Sequence, residues 1–127
     1  MWLQFAAVGT GAALGAWLRW GLSAWLNPRA PLFPPGTIAA NLIGGYFVGL
    51  AVAWFVARPD LAPEWRLFAI TGVLGGLTTF STFSAEVVEL AMRGDLMRAV
   101  LLAVVHLAGS LLLTLAGTAT FRLISTS

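Results

Sequence analysis

The chain has 127 residues, 59% of them hydrophobic and only 9% charged, with a net charge of +2 and a mean hydropathy of +0.89. Soluble domains carry about 25% charged residues, so a water-soluble globule is excluded, and a disordered chain fails on its high hydrophobicity. What is left is a single-domain integral membrane protein spanning residues 1–127, with room for one domain only. There is no cysteine, which removes disulfides, thiolate metal sites and cysteine nucleophiles. All seven basic residues are arginines, spread without a cluster, which argues against nucleic acid as a partner.

A spanning helix needs about 20 mostly apolar residues, and four segments qualify, at about 2–26, 36–57, 65–93 and 95–124. The first carries Arg19 as its one charge, and its flanks read as a span rather than a removable signal. The loop Asn27–Pro35 ends it, because four prolines in nine positions cannot continue a helix. The second span stops at Arg58-Pro59-Asp60. The third opens at Pro63-Glu64, a sound helix start, and ends near Arg93-Gly94-Asp95, where the fourth begins. Small-residue pairs at Gly11/Gly15, Gly45/Gly49 and Gly72/Gly76 predict closely packed helices.

The flanking arginines divide evenly. Arg58, Arg66 and Arg122 lie on the side of the N-terminus, and Arg29, Arg93 and Arg98 on the other. With three against three, the positive-inside rule gives no orientation. Two explanations stand: dual topology with antiparallel pairing of two copies, or a noisy count tipped by the N-terminal amine.

The third span is unusual at its centre, Gly75-Gly76-Leu77-Thr78-Thr79-Phe80-Ser81-Thr82-Phe83-Ser84. A glycine pair followed by threonines is poor helix material in mid-membrane, so a break is expected over Gly75–Thr78. Such broken backbone is tolerated only where protein or a hydrated cavity satisfies it, and it recurs at ion and substrate sites. The alternative is an intact helix whose hydroxyls bond back to their own turn. Past the break, Phe80 and Phe83 share one face, and Thr79, Thr82 and Glu86 form another stripe. Glu89 can pair with Arg93, which leaves Glu86 without a local cation about 12 Å inside the helix end. Arg19 lies comparably deep. Both are candidates for function, for a mutual Arg19–Glu86 pair, or, for Arg19, for snorkelling.

In the fourth span His106, Ser110 and Thr114 follow at four-residue intervals as one polar track. Asn41 stands alone in the second span, as helix glue or as an amide donor to an anion. His106 has no second histidine or nearby carboxylate, which argues against metal binding by it; it reads either as a satisfied interhelical donor or as a member of the track. No catalytic triad, paired membrane carboxylates or phosphate loop is present, so an enzyme is not expected.

Taken together, Gly11 to Trp20 (Gly-x-x-x-Gly-Ala-x-x-Arg-Trp), Asn41-Leu42-Ile43-Gly44 and Gly75 to Ser84 with Glu86 resemble the Fluc (CrcB) fluoride channels over essentially the whole chain. The resemblance implies an all-α membrane protein with four transmembrane helices, the third broken at mid-membrane, assembled as an antiparallel dual-topology homodimer with two pores. It implies fluoride as the permeant ion, in the bacterial plasma membrane. Phe80 and Phe83 would line the path, with Asn41 fixing them and Ser81, Thr82 and Glu86 along or beside it. Ser110, His106 and Thr114 would continue the track, and Arg19 would stand in the vestibule. Gly75 and Thr78 would offer backbone carbonyls from both subunits to a structural sodium ion. The rival is a proton-coupled small multidrug-type transporter, also built of four helices. That class relies on a carboxylate in its first helix, where this chain has only Arg19.

Overall fold

The computed structural model describes all residues, Met1–Ser127. It is all helical: α1 (Trp2–Leu26), a 3-10 turn (Asn27–Arg29), α2 (Pro35–Val56), a broken span, and a long final helix. The first half of the broken span, α3, starts at Pro63–Arg66, widens into a π-helix over Leu67–Leu74 and closes with one α turn, Gly75–Leu77. The second half is α4 (Phe80–Met92), and the last helix is α5 (Leu96–Ser125). Three stretches, Pro35–Val56, Pro63–Met92 and Leu96–Ser125, are long and apolar enough to cross a bilayer. α1 has the length, 25 residues, but its four tryptophans, Gln4 and Arg19 keep its hydropathy lower.

The expected break is present and displaced. Helical hydrogen bonding continues through Gly75–Leu77, with the Thr78 amide still donating to the Leu74 carbonyl at 3.0 Å. The chain becomes extended only at Thr78 (φ −83°, ψ 151°) and Thr79 (φ −149°, ψ 123°). The glycine pair therefore does not make the break. A Cβ on Gly76 would sit 2.5 Å from the Ala12 carbonyl oxygen, so this glycine serves close contact with α1.

Only 19 of 127 residues are buried, and large side chains such as Trp17, Phe47, Leu111 and Leu115 face outward. That is the expected inversion for a chain solvated by lipid, where close backbone packing replaces hydrophobic burial between helices. α2 shows it best: Gly36, Thr37, Ala40, Asn41, Gly44, Gly45 and Gly49 form its buried stripe. α1 meets α3 through Gly11, Gly15, Gly72 and Gly76, and α2 meets α5 through Gly45, Gly49 and Gly117. All three sequence-predicted small-residue pairs lie at these seams.

The loops are short and closed by side chains. Pro34 and Pro35 leave α2 without a cap of its own, and Asn27 supplies one from a distance. Its Oδ1 accepts from the amides of Gly36 (2.8 Å) and Thr37 (3.3 Å). Gly94 (φ 83°) ends α4 in a Schellman turn, with Gly94 and Asp95 amides donating to Ala91 and Leu90. Asp95 then caps α5 by accepting from the Arg98 amide. The predicted Glu89–Arg93 pair forms at 2.5 Å, exposed and so worth little.

A Cβ on Gly49 would overlap the Thr114 carbonyl, whereas Gly9 has no neighbour within 4 Å. Gly49→Val should lower the stability of the purified protein by about 1–3 kcal/mol, read as earlier thermal aggregation in detergent. Gly9→Ala should leave it unchanged, and equal behaviour of the two variants contradicts the packing account.

Candidate functional site

The extended residues Thr78 and Thr79 strip hydrogen-bond partners from the backbone around them, and side chains meet four of the freed groups. The Thr79 amide, which would close a turn on the Gly75 carbonyl, donates instead to Asn41 Oδ1 at 2.7 Å. The Thr79 carbonyl accepts from Asn41 Nδ2 at 2.9 Å. One side chain on α2 thus staples both polar groups of the break residue. The Gly76 carbonyl accepts from Arg19 Nε at 3.1 Å. At the start of α4, Thr79 Oγ1 caps the helix by accepting from the Thr82 amide at 3.1 Å and donates to Thr82 Oγ1. Ser81 Oγ lies 3.4 Å from the same Thr79 hydroxyl. An unpaired backbone group in hydrocarbon costs several kcal/mol, so these contacts are what make the interruption tenable.

The carbonyls of Gly75 and Thr78 are among those that lose their helical donors in this arrangement. The Thr79 amide has left Gly75 for Asn41, and the Thr82 amide has left Thr78 for the Thr79 hydroxyl. They are the two carbonyls that the resemblance singles out.

The three aromatic rings beside the break form a continuous row. Phe80 and Phe83 meet edge to face, centroids 4.8 Å apart at 85°, and Phe83 stacks on His106 at 4.6 Å and 18°. Phe80 is 70% exposed, Phe83 6% and His106 2%. With Asn41, Thr78, Thr79 and Ser110 they line an open cleft of about 320 Å³. Asn41 Nδ2 also lies 2.9 Å from His106 Nδ1, so both amide hydrogens of Asn41 are committed. Of its two sequence readings, helix glue or direct anion donor, the geometry supports holding. Thr114 stands further along the same helix, but its hydroxyl donates to the Gly45 carbonyl at 3.0 Å, across the α2–α5 seam.

Glu86 sits apart from this row. It accepts from the fully buried Thr37 hydroxyl at 2.6 Å, which itself accepts from Asn27 Nδ2 at 3.3 Å. The other carboxyl oxygen, Oε2, is buried without a partner. Arg19 does not pair with it; the ion pairs are Glu89–Arg93 and Asp95–Arg98. Within this chain no Arg19–Glu86 pair forms, and Arg19 Nε donates to the Gly76 carbonyl instead. Glu86 also lines a small cleft under the first loop with Pro31, Pro34 and Arg93. Thr37 and Asn27 escaped the sequence reading. The one available signal was a threonine two residues past the prolines, in a helix with no capping residue of its own.

No three His, Cys, Asp or Glu side chains gather into a set able to hold a metal. The polar groups of the site are amides, hydroxyls, one imidazole and backbone carbonyls.

The family described as "CrcB-like protein, Camphor Resistance (CrcB)" matches residues 6–118. Among its relatives, the fluoride-specific ion channel FluC of Thiobacillus denitrificans is 64% identical over 110 residues, covering 87% of this chain and 89% of that one. The fluoride-specific ion channel FluC of Pseudomonas putida is 60% identical over 119 residues, 94% of each chain. A third, from Chromobacterium violaceum and of the same name, is 56% identical over 122 residues. With the family matching nearly end to end, and four helices of the expected order broken at the expected span, this chain belongs to the CrcB family.

Proposed function

We propose that this protein is a passive fluoride channel of the bacterial inner membrane, letting the anion leave the cytoplasm and relieving its toxicity. The observation that carries this reading is the cleft beside the broken helix, where phenylalanine rings, an imidazole and hydroxyls converge with no fixed positive charge. Fluoride is small and strongly hydrated, so leaving water requires donors in its place. Ring edges carry the positive part of the aromatic quadrupole and hydroxyls donate directly, while no guanidinium stands in the cleft to trap the ion. Hydrogen fluoride enters acid-exposed cells as the neutral acid, dissociates inside, and the anion then leaves down its gradient.

In this reading Phe80 and Phe83 are the path, Asn41 holds the break against them, and His106 and Ser110 carry the ion onward toward Thr114. Ser81, Thr82 and Glu86 lie on the approach from the first loop, and Arg19 stands at the vestibule while bracing Gly76. The multidrug-type alternative is disfavoured by α1, whose one charge is a guanidinium bound to backbone.

The working unit is an antiparallel dual-topology homodimer. Three features support it: the balanced arginines, the largely exposed Phe80, and an apolar groove of about 1130 Å³ flanking the break. The groove takes in Phe47, Trp54, Phe68, Val73, Leu77 and Phe121, the kind of surface a second copy would cover. A sodium ion at the dimer axis fits the freed carbonyls of Gly75 and Thr78, since neutral oxygen dipoles without a carboxylate suit a hard monovalent cation. Such an ion would stabilise the pair by mass action.

Reconstituted in liposomes, the protein should release fluoride and retain chloride. Phe80→Ile and Phe83→Ile keep apolar bulk without the ring edge, and each should cut fluoride efflux at least tenfold while the protein still purifies as a dimer. Undiminished efflux in both would remove the aromatic path.

Two added arginines in the loop Asn27–Pro35 should bias insertion and abolish activity alone, with recovery on co-expression with an oppositely biased copy. Full activity of one biased form, shown by tag accessibility to have a single orientation, contradicts dual topology.

Replacing sodium by an impermeant organic cation should slow efflux or weaken the dimer. Identical flux and dimer stability in both media would argue against the ion.

A further inference from the structure

Asn and His side chains leave their orientation open until a neighbour decides it. Here the backbone decides. The Thr79 amide can only donate and its carbonyl can only accept, and Asn41 bonds both, at 2.7 and 2.9 Å. Asn41 therefore has one orientation, with its NH2 toward Thr79 O and His106 and its oxygen toward the Thr79 amide. At 2.9 Å from that NH2, His106 Nδ1 must be the acceptor. A proton on Nδ1 would set two N–H groups against each other. Of the three imidazole states, only the neutral form with hydrogen on Nε2 fits. That Nε2 is buried and has no partner in the protein, and the ring lies flat on Phe83 at the wall of the cleft.

We propose that the helix break sets the tautomer of His106 through Asn41, leaving the Nε2–H as a preset, uncharged donor for the permeating anion. This inference rests on the fluoride-channel reading and deepens it: Asn41 is a positioning residue that acts through His106. The relay explains why both Asn41 hydrogens are spent inside the protein while a neighbouring donor is left without an acceptor. An uncharged donor also suits conduction, because a buried imidazolium would hold a small anion too firmly for it to leave.

The chain has a single histidine, so nitrogen magnetic resonance of 15N-histidine protein in lipid bilayers reads this ring alone. The expected spectrum has Nε2 protonated and Nδ1 bare, and the Nε2–H signal moves on addition of sodium fluoride but not sodium chloride. In Asn41→Asp, a carboxylate replaces the NH2 donor, and Nδ1 should acquire a proton. Wild-type protein with a protonated Nδ1 overturns the proposal, without need of the variant. So does an Nε2–H signal indifferent to fluoride in liposomes that pass fluoride, an outcome that leaves the channel reading standing. Wild-type liposomes that retain fluoride overturn the channel reading instead, whatever the tautomer.

Discussion

The structure turns on one side chain bonding to one peptide unit. A membrane offers no water to an interrupted helix, and each freed amide or carbonyl would cost several kcal/mol. Asn41 meets the two polar groups of Thr79 at once, and Arg19 meets the Gly76 carbonyl from the other side. With those contacts in place, α4 can start afresh at Phe80 with Thr79 as its cap, and the direction of its first turn puts Phe80 and Phe83 beside His106. Remove the clamp and the aromatic row loses its anchor.

The clamp depends in turn on how near the helices stand. Asn41 has a short side chain, and reaching the backbone of a neighbouring span requires α2 to lie close against it. Gly44 provides that closeness: a Cβ there would sit 2.3 Å from the Thr78 methyl group. Gly45 and Gly49 bring α2 equally near α5, which carries His106. The buried stripe of α2 is thus a stripe of small residues with two polar ones set in it, Thr37 and Asn41. Each polar member bonds into α4 or the break before it. The glycines supply proximity and the two polar side chains convert it into a defined site.

Much of this was legible in the residues. Span lengths, the proline loop, the glycine seams, the Glu89–Arg93 pair and an interruption in the third span all follow from composition and spacing. Propensity flags Gly75-Gly76 and spreads the expected break over Gly75–Thr78, whereas the backbone leaves the helix only at the end of that stretch, at Thr78 and Thr79, where side-chain partners wait. The π-helix over Leu67–Leu74 has no comparable signal in a stretch that is apolar but for Thr71 and Gly72. Partnerships between distant segments were equally hidden. Nothing local ties Thr37 to Glu86, 49 residues away, or Arg19 to a carbonyl 57 residues on. Depth along a helix suggested that Arg19 and Glu86 had to find partners; only the packing says which.

The central claim is that Asn41 holds the backbone at the break, and hydrogen exchange at the Thr79 amide tests it most directly. In the reconstituted wild-type protein this amide should be protected, despite lying outside any helix. In Asn41→Ala it should exchange at least tenfold faster, with the interior amides of α5 unchanged and fluoride efflux lost. Equal Thr79 protection in the two proteins would contradict the account, because the break would then be held by something other than Asn41.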